Sequence, residues 1–228
     1  MKQYRKQAVL LFGAIAVFSY LSIRYFPTQK PADESITVME ASDQEQLQIY
    51  VLDQDNTLIP MDKTIDVGKS KEEKLKLMIA AMCADQVKGD FSGVLGTGTQ
   101  LVDVKLEGSK AMLTFNDKLA TYEPSQELKV LEAITWGTTQ FPEIKEIEIY
   151  MEGERLTKMP LANTPIPATL NRKLGINHFE SASSSLSDAQ TILVYYTKKI
   201  DNTLYYVPKS KRIIGDPNDM ETIVNEVL

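Results

Sequence analysis

The residue types that carry most enzyme chemistry are scarce in this sequence. The chain of 228 residues contains one cysteine, Cys83, and one histidine, His178. One cysteine allows no internal disulfide and no cysteine-based zinc site, and one histidine excludes a multi-histidine metal centre. The single histidine also makes a Ser-His-Asp triad improbable, because it is the one residue that could act as the base. Two closely spaced carboxylates, Asp53 and Asp55, are therefore the strongest candidates for chemistry.

The segment around this pair, IYVLDQDNTLIP, resembles the first motif of haloacid-dehalogenase-type phosphohydrolases. The resemblance implies a nucleophile at Asp53, an acid/base at Asp55, and a Mg²⁺ ion that bridges both to a phosphate. Such enzymes need a further acidic pair downstream, for which Asp216 and Asp219 are available. A phosphohydrolase is therefore the alternative function for this chain.

An internal repeat favours a structural role for the pair. Residues 192–213 echo residues 47–65, so that Asp55-Asn56-Thr57-Leu58 recurs as Asp201-Asn202-Thr203-Leu204. The second copy has Lys199 in place of Asp53, so the copies share a turn and not a nucleophile. Asp-Asn between alternating strands is typical of a hairpin turn, whereas a parallel phosphohydrolase sheet needs a long crossover. We therefore predict a non-enzyme with no catalytic residue, cofactor or metal site.

The remaining candidate residues have structural interpretations. Cys83 lies on the apolar stripe of a predicted helix, which favours a small buried side chain over a reactive thiol. His178 falls in a predicted linker without an acidic partner nearby in sequence, so we expect it to be exposed. Trp136 falls off the stripe of the second predicted helix. An exposed tryptophan is a candidate contact for a partner protein, and packing under the C-terminal segment is the alternative.

The N-terminus predicts a membrane anchor. Lys2, Arg5 and Lys6 precede the uncharged apolar run 8–23. This charge pattern predicts a cytoplasmic tip and a transmembrane helix within residues 1–26 that contacts the lipid bilayer. A cleaved signal peptide is the alternative, but no A-x-A pattern follows the run. Residues 27–46 are then a tether to folded domains on the extracytoplasmic side. The net charge of −6, without a basic patch, predicts no nucleic-acid partner.

Hydrophobic periodicity from residue 47 onward predicts an α+β module with the order ββαββαβ over residues 47–160. The first hairpin is followed by a capping box at Ser70 and Glu73, which begins a helix that extends to Lys88. A second hairpin, a helix at about 124–140 and a strand at 143–151 complete the module. We expect a two-layer fold in which two helices pack on one mostly antiparallel sheet.

The C-terminal part predicts the beginning of a second module. Residues 161–190 are rich in proline and serine and are predicted to form a linker. Residues 191–228 then supply a hairpin at about 191–214 and a helix at about 218–228, where the repeat stops early. Because an isolated hairpin and a short helix are both marginal in water, we predict that this segment is weakly protected and not docked on the first module.

The passage TTQFPEIKEIEIYMEG, together with FSGVLGTGTQLVDVKLEGSKAMLTF, resembles the GerM-type (GerMN) domains of sporulation and spore germination proteins. The resemblance covers residues 47–177, and 191–228 as the start of a second domain. It implies a fold similar to the ring-building motifs of secretion-type assemblies, and a non-enzymatic adaptor role between mother cell and forespore. The expected partners are other sporulation envelope proteins, and a homo-oligomer is possible in this arrangement. A peptidoglycan-binding module is a further alternative function.

Overall fold

The computed structural model describes residues 44–87, 89–178 and 189–214, together with 219, 221, 223 and 224. These residues belong to one compact unit. The predicted anchor, the tether up to residue 43 and most of the predicted helix 218–228 lie outside the described residues. Among those that are described, no helix is both long and apolar enough to cross a membrane.

The predicted order of elements is confirmed, with two very short strands added. The elements are β1 (Gln44–Leu52), β2 (Leu58–Asp66), α1 (Lys71–Ala81), β3 (Ser92–Gly93), β4 (Leu101–Glu107), β5 (Lys110–Phe115), α2 (Glu127–Thr138), β6 (Glu146–Met151), β7 (Glu154–Arg155), β8 (Ala189–Ile200) and β9 (Thr203–Ile214). The strands form the sheets β2-β1-β3, β4-β5-β6-β7 and β8-β9. The α+β class is therefore correct, but the prediction of one sheet for the first module is wrong.

The four-stranded sheet is mixed, because β5 and β6 run parallel while their outer neighbours are antiparallel. Helix α2 lies between β5 and β6 in the chain and supplies the crossover that a parallel pair requires. Alternation along the two strands buries Ala111, Leu113 and Phe115 beside Ile147 and Ile149. This parallel pair therefore forms the centre of the core.

Helix α1 ends earlier than predicted. It begins at the predicted capping box but stops at Ala81, well before Lys88. The next residues pair with another segment, since the backbone N–H of Leu95 donates to the carbonyl of Met82 at 3.0 Å and the N–H of Ala84 donates to the carbonyl of Leu95 at 2.8 Å. The apolar residues after the helix are therefore buried by a bridge between two segments and not by further helical turns.

A glutamine side chain completes the edge of β1. Gln140 Oε1 accepts a hydrogen bond from the backbone N–H of Gln48 at 2.8 Å, and its Nε2 donates to the carbonyl of Gln48 at 2.9 Å. A neighbouring strand would make the same two bonds. Pro142, two residues further on, cannot continue the helix. The TTQFP passage thus ends α2 and ties it to β1.

A buried carboxylate at the start of α2 holds the loop that follows β7. Glu127 is 1% exposed, and it accepts hydrogen bonds at 2.8 Å from the backbone N–H groups of Leu161, Ala162 and Thr164. The hydroxyl of Tyr122 donates to it at the same distance. Burial alone would raise the pKa of this carboxyl, but the hydrogen bonds outweigh burial and hold its pKa at about 2.

The first part of the predicted linker, 161–190, belongs to the folded unit instead. Leu170 is 1% exposed and forms a bridge with Ile147, and Ile176 is fully buried. Residues 179–188 lie outside the described part of the chain. The prediction of a linker is therefore wrong up to residue 178, because apolar side chains at wide spacing anchor the segment without a regular period.

We predict that Glu127→Gln lowers the free energy of unfolding by about 2 kcal/mol, because three backbone N–H groups lose a charged acceptor. The pKa of the folded carboxyl lies below the ordinary 4.5, so its contribution is complete above that pH and is lost as the pH falls towards 2. Urea unfolding should therefore show a larger difference between wild type and variant at about pH 7 than at about pH 3. The exposed Glu123→Gln is the control, and an equal loss in both variants would contradict the assignment.

Candidate functional site

Of the predicted candidate residues, Asp53, Asp55 and Trp136 lie at different points along the contact between the β8–β9 hairpin and the first module. Val207 and Ile213 of β9 are each 1% exposed. The backbone N–H of Ser210 donates to the carbonyl of Ile176 at 2.7 Å, and the N–H of Ile176 donates to Ser210 Oγ at 2.8 Å. The prediction that this segment is undocked is therefore wrong for residues 189–214.

Asp53 and Asp55 lie in the turn between β1 and β2, where a lysine of the hairpin pairs with both. Asp53 Oδ1 accepts hydrogen bonds from the backbone N–H groups of Asp55 and Thr57, each at 2.9 Å. Lys198 Nζ lies 2.5 Å from Asp53 Oδ2 and 2.6 Å from Asp55 Oδ2. The hydrogen bond from Lys198 lowers the pKa of Asp55, and the hydrogen bonds to both carboxylates raise the pKa of Lys198. The pair therefore has an internal counterion.

This geometry favours the turn over the phosphohydrolase. β1 and β2 form an antiparallel hairpin and not two strands joined by a crossover. The Lys198 ammonium lies between the two carboxylates, where that mechanism needs Mg²⁺. Of the further acidic pair, Asp219 is exposed and Asp216 lies outside the described residues. In the part of the chain that the structure describes, no group of three His, Cys, Asp or Glu residues could hold a metal ion.

Both copies of the repeated turn use a positive backbone dihedral, as predicted. Asn56 has φ 56° and Asp201 has φ 51°. Asparagine and aspartate tolerate this region better than other non-glycine residues. Asp201 differs from its counterpart Asp55 in that it contacts Asp90, and the hydrogen bond between these carboxyls raises the pKa of Asp201. The positive dihedral falls on Asn56 in the first copy but on Asp201, the counterpart of Asp55, in the second, so the two turns differ in backbone geometry and in their surrounding charges.

A second buried carboxylate ties α2 to the segment beneath the hairpin. Glu132 is fully buried, and its Oε2 accepts from the backbone N–H of Asn177 at 3.1 Å and lies 3.4 Å from Lys129 Nζ. Its Oε1 lies 3.5 Å from His178 Nε2. Burial raises the pKa of Glu132, although the nearby ammonium opposes that shift. His178 is exposed, as predicted, and the carboxylate near it is distant in sequence.

Trp136 is packed under the same segment. It is 3% exposed, its Nε1 donates to the carbonyl of Gly175 at 2.9 Å, and the Arg172 guanidinium lies 4.5 Å from its ring centre. Of the two alternatives that the sequence left open, exposure and packing, packing is observed. A partner contact through Trp136 stays a prediction.

Gly175 has φ 83°, and a Cβ there would lie 2.4 Å from the ring of His178, so this turn requires glycine.

Cys83 is buried, as predicted. It is 3% exposed, and its Sγ lies 3.3 Å from the carbonyl of Thr99. Burial raises the pKa of the thiol to about 11, so the reactive thiolate is scarce at neutral pH.

The hairpin also presents a strip of large apolar side chains that the sequence analysis did not identify as a surface. The register of β8 and β9 places Leu193, Tyr195, Leu204 and Tyr206 on one face. Their exposed fractions are 40%, 57%, 54% and 64%. The alternation of residues in both strands indicates that the hairpin has two apolar faces, but it does not indicate which of them packs on the first module. We call these four residues the hairpin strip.

Comparison with known proteins identifies the first module. Residues 48–157 match the family described as "Germane: Sporulation and spore germination". This segment is a Germane-family domain. The "Spore germination protein GerM" of Bacillus subtilis (strain 168) is 27% identical over 206 residues, which cover 88% of this chain. The Germane domain thus supports a sporulation-related role for the chain.

Solved structures extend the similarity beyond this domain. The "Tandem GerMN domains of the sporulation protein GerM from Bacillus subtilis" align with a TM-score of 0.69 and 25% identity, covering 81% of this chain and 65% of that one. The "First GerMN domain" of the same protein aligns with a TM-score of 0.49 and 24% identity over 57% of this chain and 98% of its own length. This chain spans 56% of the length of the curated relative.

We predict that Asp53→Asn lowers the free energy of unfolding by about 1–2 kcal/mol, because the amide keeps the turn but loses its charge opposite Lys198. The exposed Asp62→Asn is the matched control and should change stability by less than about 0.5 kcal/mol. The loss in the double variant with Lys198→Met should be smaller than the sum of the two single losses, since both variants remove the contact between Lys198 and Asp53. Additive losses in the double variant would show that the pair is not coupled.

Proposed function

We propose that this chain is a non-enzymatic assembly module of the sporulation envelope. In this proposal residues 8–23 anchor it in the membrane, and the folded unit lies on the extracytoplasmic side, between mother cell and forespore. There it binds other sporulation envelope proteins. The sporulation role of its relatives supports the setting, and the surface of the hairpin supports the mode of action.

The hairpin strip is the observation that carries the proposal. A contiguous patch of large apolar side chains on a folded surface marks a site of protein interaction more often than scattered single residues do. Two of the four side chains are tyrosines, which are enriched among the residues that contribute most to binding energy. The strip is also held rigidly, because the other side of the hairpin packs on the Germane domain through Val207, which belongs to the shared hydrophobic core.

The carboxylates of this chain that most resemble catalytic groups are committed to internal contacts. Asp53 and Asp55 share Lys198, whereas Glu127 holds a loop and Glu132 accepts a backbone hydrogen bond. Each contact stabilises the fold without need of a substrate. The phosphohydrolase alternative has no supporting observation and is not proposed here.

The test replaces the native gene in the spore-forming organism with one that encodes Tyr195→Ser and Tyr206→Ser together. We expect fewer heat-resistant spores and loss of cross-linked complexes at equal protein abundance, because the contact surface is removed. The matched control is Val67→Ser with Val102→Ser, two side chains that are each 55% exposed elsewhere. Normal sporulation of the tyrosine variant would overturn the proposal. In the same cells, a shortened form that begins after residue 23 would contradict the anchor.

A further inference from the structure

A groove lies at the base of the hairpin, where β8 passes α2. Its volume is about 600 Å³. One side consists of Trp136, Arg172 and Lys173, and the other consists of Thr191, Ile192, Leu193 and Ser210. We call this cavity the base groove. Leu193 also belongs to the hairpin strip, so the groove continues the surface that the proposed function uses.

The base groove is basic, although the chain as a whole carries a net charge of −6. Arg172 and Lys173 line it, and none of its lining residues in the described part of the chain is acidic. At physiological salt, charges within about 8 Å of a ligand act on it with little screening. The charge of the groove therefore complements a negatively charged ligand.

The walls of the groove are apolar between these charges. Trp136 forms the floor, and the Arg172 guanidinium is stacked on it at 4.5 Å. Ile192 and Leu193 of β8 also line the cavity. Ligand sites commonly combine such apolar walls with a few charged groups that set orientation. A ligand that fills this groove needs apolar side chains as well as negative charge.

The backbone of β8 favours an extended ligand. The N–H of Ser210 donates to the carbonyl of Ile176 and not to Leu193, the residue opposite it in β8. Leu193 and Ser210 are therefore a non-hydrogen-bonded pair of the antiparallel ladder. The N–H and carbonyl of Leu193 therefore point away from β9, as do those of Thr191 and Tyr195. Among the described residues, no third strand pairs with this edge. Such an edge accepts an added strand through main-chain hydrogen bonds.

We propose that the base groove binds an extended acidic segment of a partner protein, in which leucine or aromatic side chains alternate with glutamate or aspartate. The apolar side chains lie against Trp136 and Leu193, and the carboxylates meet Arg172 and Lys173. This inference rests on the proposed function, because it names the chemistry of the partner that the assembly module recognises.

The single tryptophan of the chain makes the test direct, since Trp136 lines the groove and reports on its occupancy. The full-length chain, purified in mild detergent, is titrated with a labelled synthetic peptide of alternating leucine and glutamate. We expect saturable binding by anisotropy, together with a change in tryptophan emission. Polyglutamate should bind at least about tenfold more weakly, and alternating leucine and lysine should not bind. Equal binding of the lysine peptide would overturn the proposal.

A charge reversal locates the site. Lys173→Glu should weaken binding of the leucine–glutamate peptide about tenfold and reduce its dependence on salt, because a rim cation mainly sets electrostatic attraction. Lys158→Glu, an exposed lysine outside the groove, is the matched control and should bind as wild type does. Wild-type binding by Lys173→Glu would overturn the proposal.

Two outcomes separate this inference from its alternatives. Residues 215–228 contain acidic and apolar residues and no lysine or arginine. A chain without them that binds the peptide about tenfold more tightly would make that segment the occupant and overturn an external partner. If the peptide does not bind while the tyrosine variants still block sporulation, the groove proposal fails and the assembly role stands.

Discussion

The side chain of Asn177 joins three parts of the molecule that are far apart in the chain. Its Oδ1 accepts from the backbone N–H of Leu58 at 2.8 Å and from Lys129 Nζ at 3.0 Å. Its Nδ2 donates to the carbonyls of Leu58 at 2.8 Å and Pro208 at 3.0 Å. The residue is 4% exposed, and an unpaired buried amide would cost about 1–3 kcal/mol. The positions of β2, α2 and β9 therefore depend on one another through this amide.

Side-chain amides complete strand edges at two places in this fold. Gln140 pairs with the backbone of Gln48 at the edge of β1, and Asn177 pairs with Leu58 and Pro208 between β2 and β9. Gln140 belongs to the TTQFP passage that carries the resemblance to GerMN domains, and Asn177 is the last residue that this resemblance covers. Since the second amide fixes β9, it also determines where the hairpin strip and the base groove lie.

Local features of the fold could be predicted from the sequence, whereas contacts between distant segments could not. The capping box at Ser70, the positive dihedral at Asn56 and the burial of Cys83 each follow from a few neighbouring residues, and all three are confirmed. The pairing of Lys198 with Asp53 joins residues 145 positions apart. The approach of His178 to Glu132 likewise could not be predicted from the spacing of neighbouring residues. The same limit explains the early end of α1 and the burial of Trp136.

Docking of the hairpin on the Germane domain is tested most directly by hydrogen exchange of the Ser210 amide. That N–H donates to the carbonyl of Ile176 across the contact and not to β8, so an undocked hairpin would leave it exposed to water. We predict that it exchanges as slowly as the amides shared by β1 and β2, through global unfolding. Rapid exchange at Ser210 while the β1–β2 amides stay protected would contradict it.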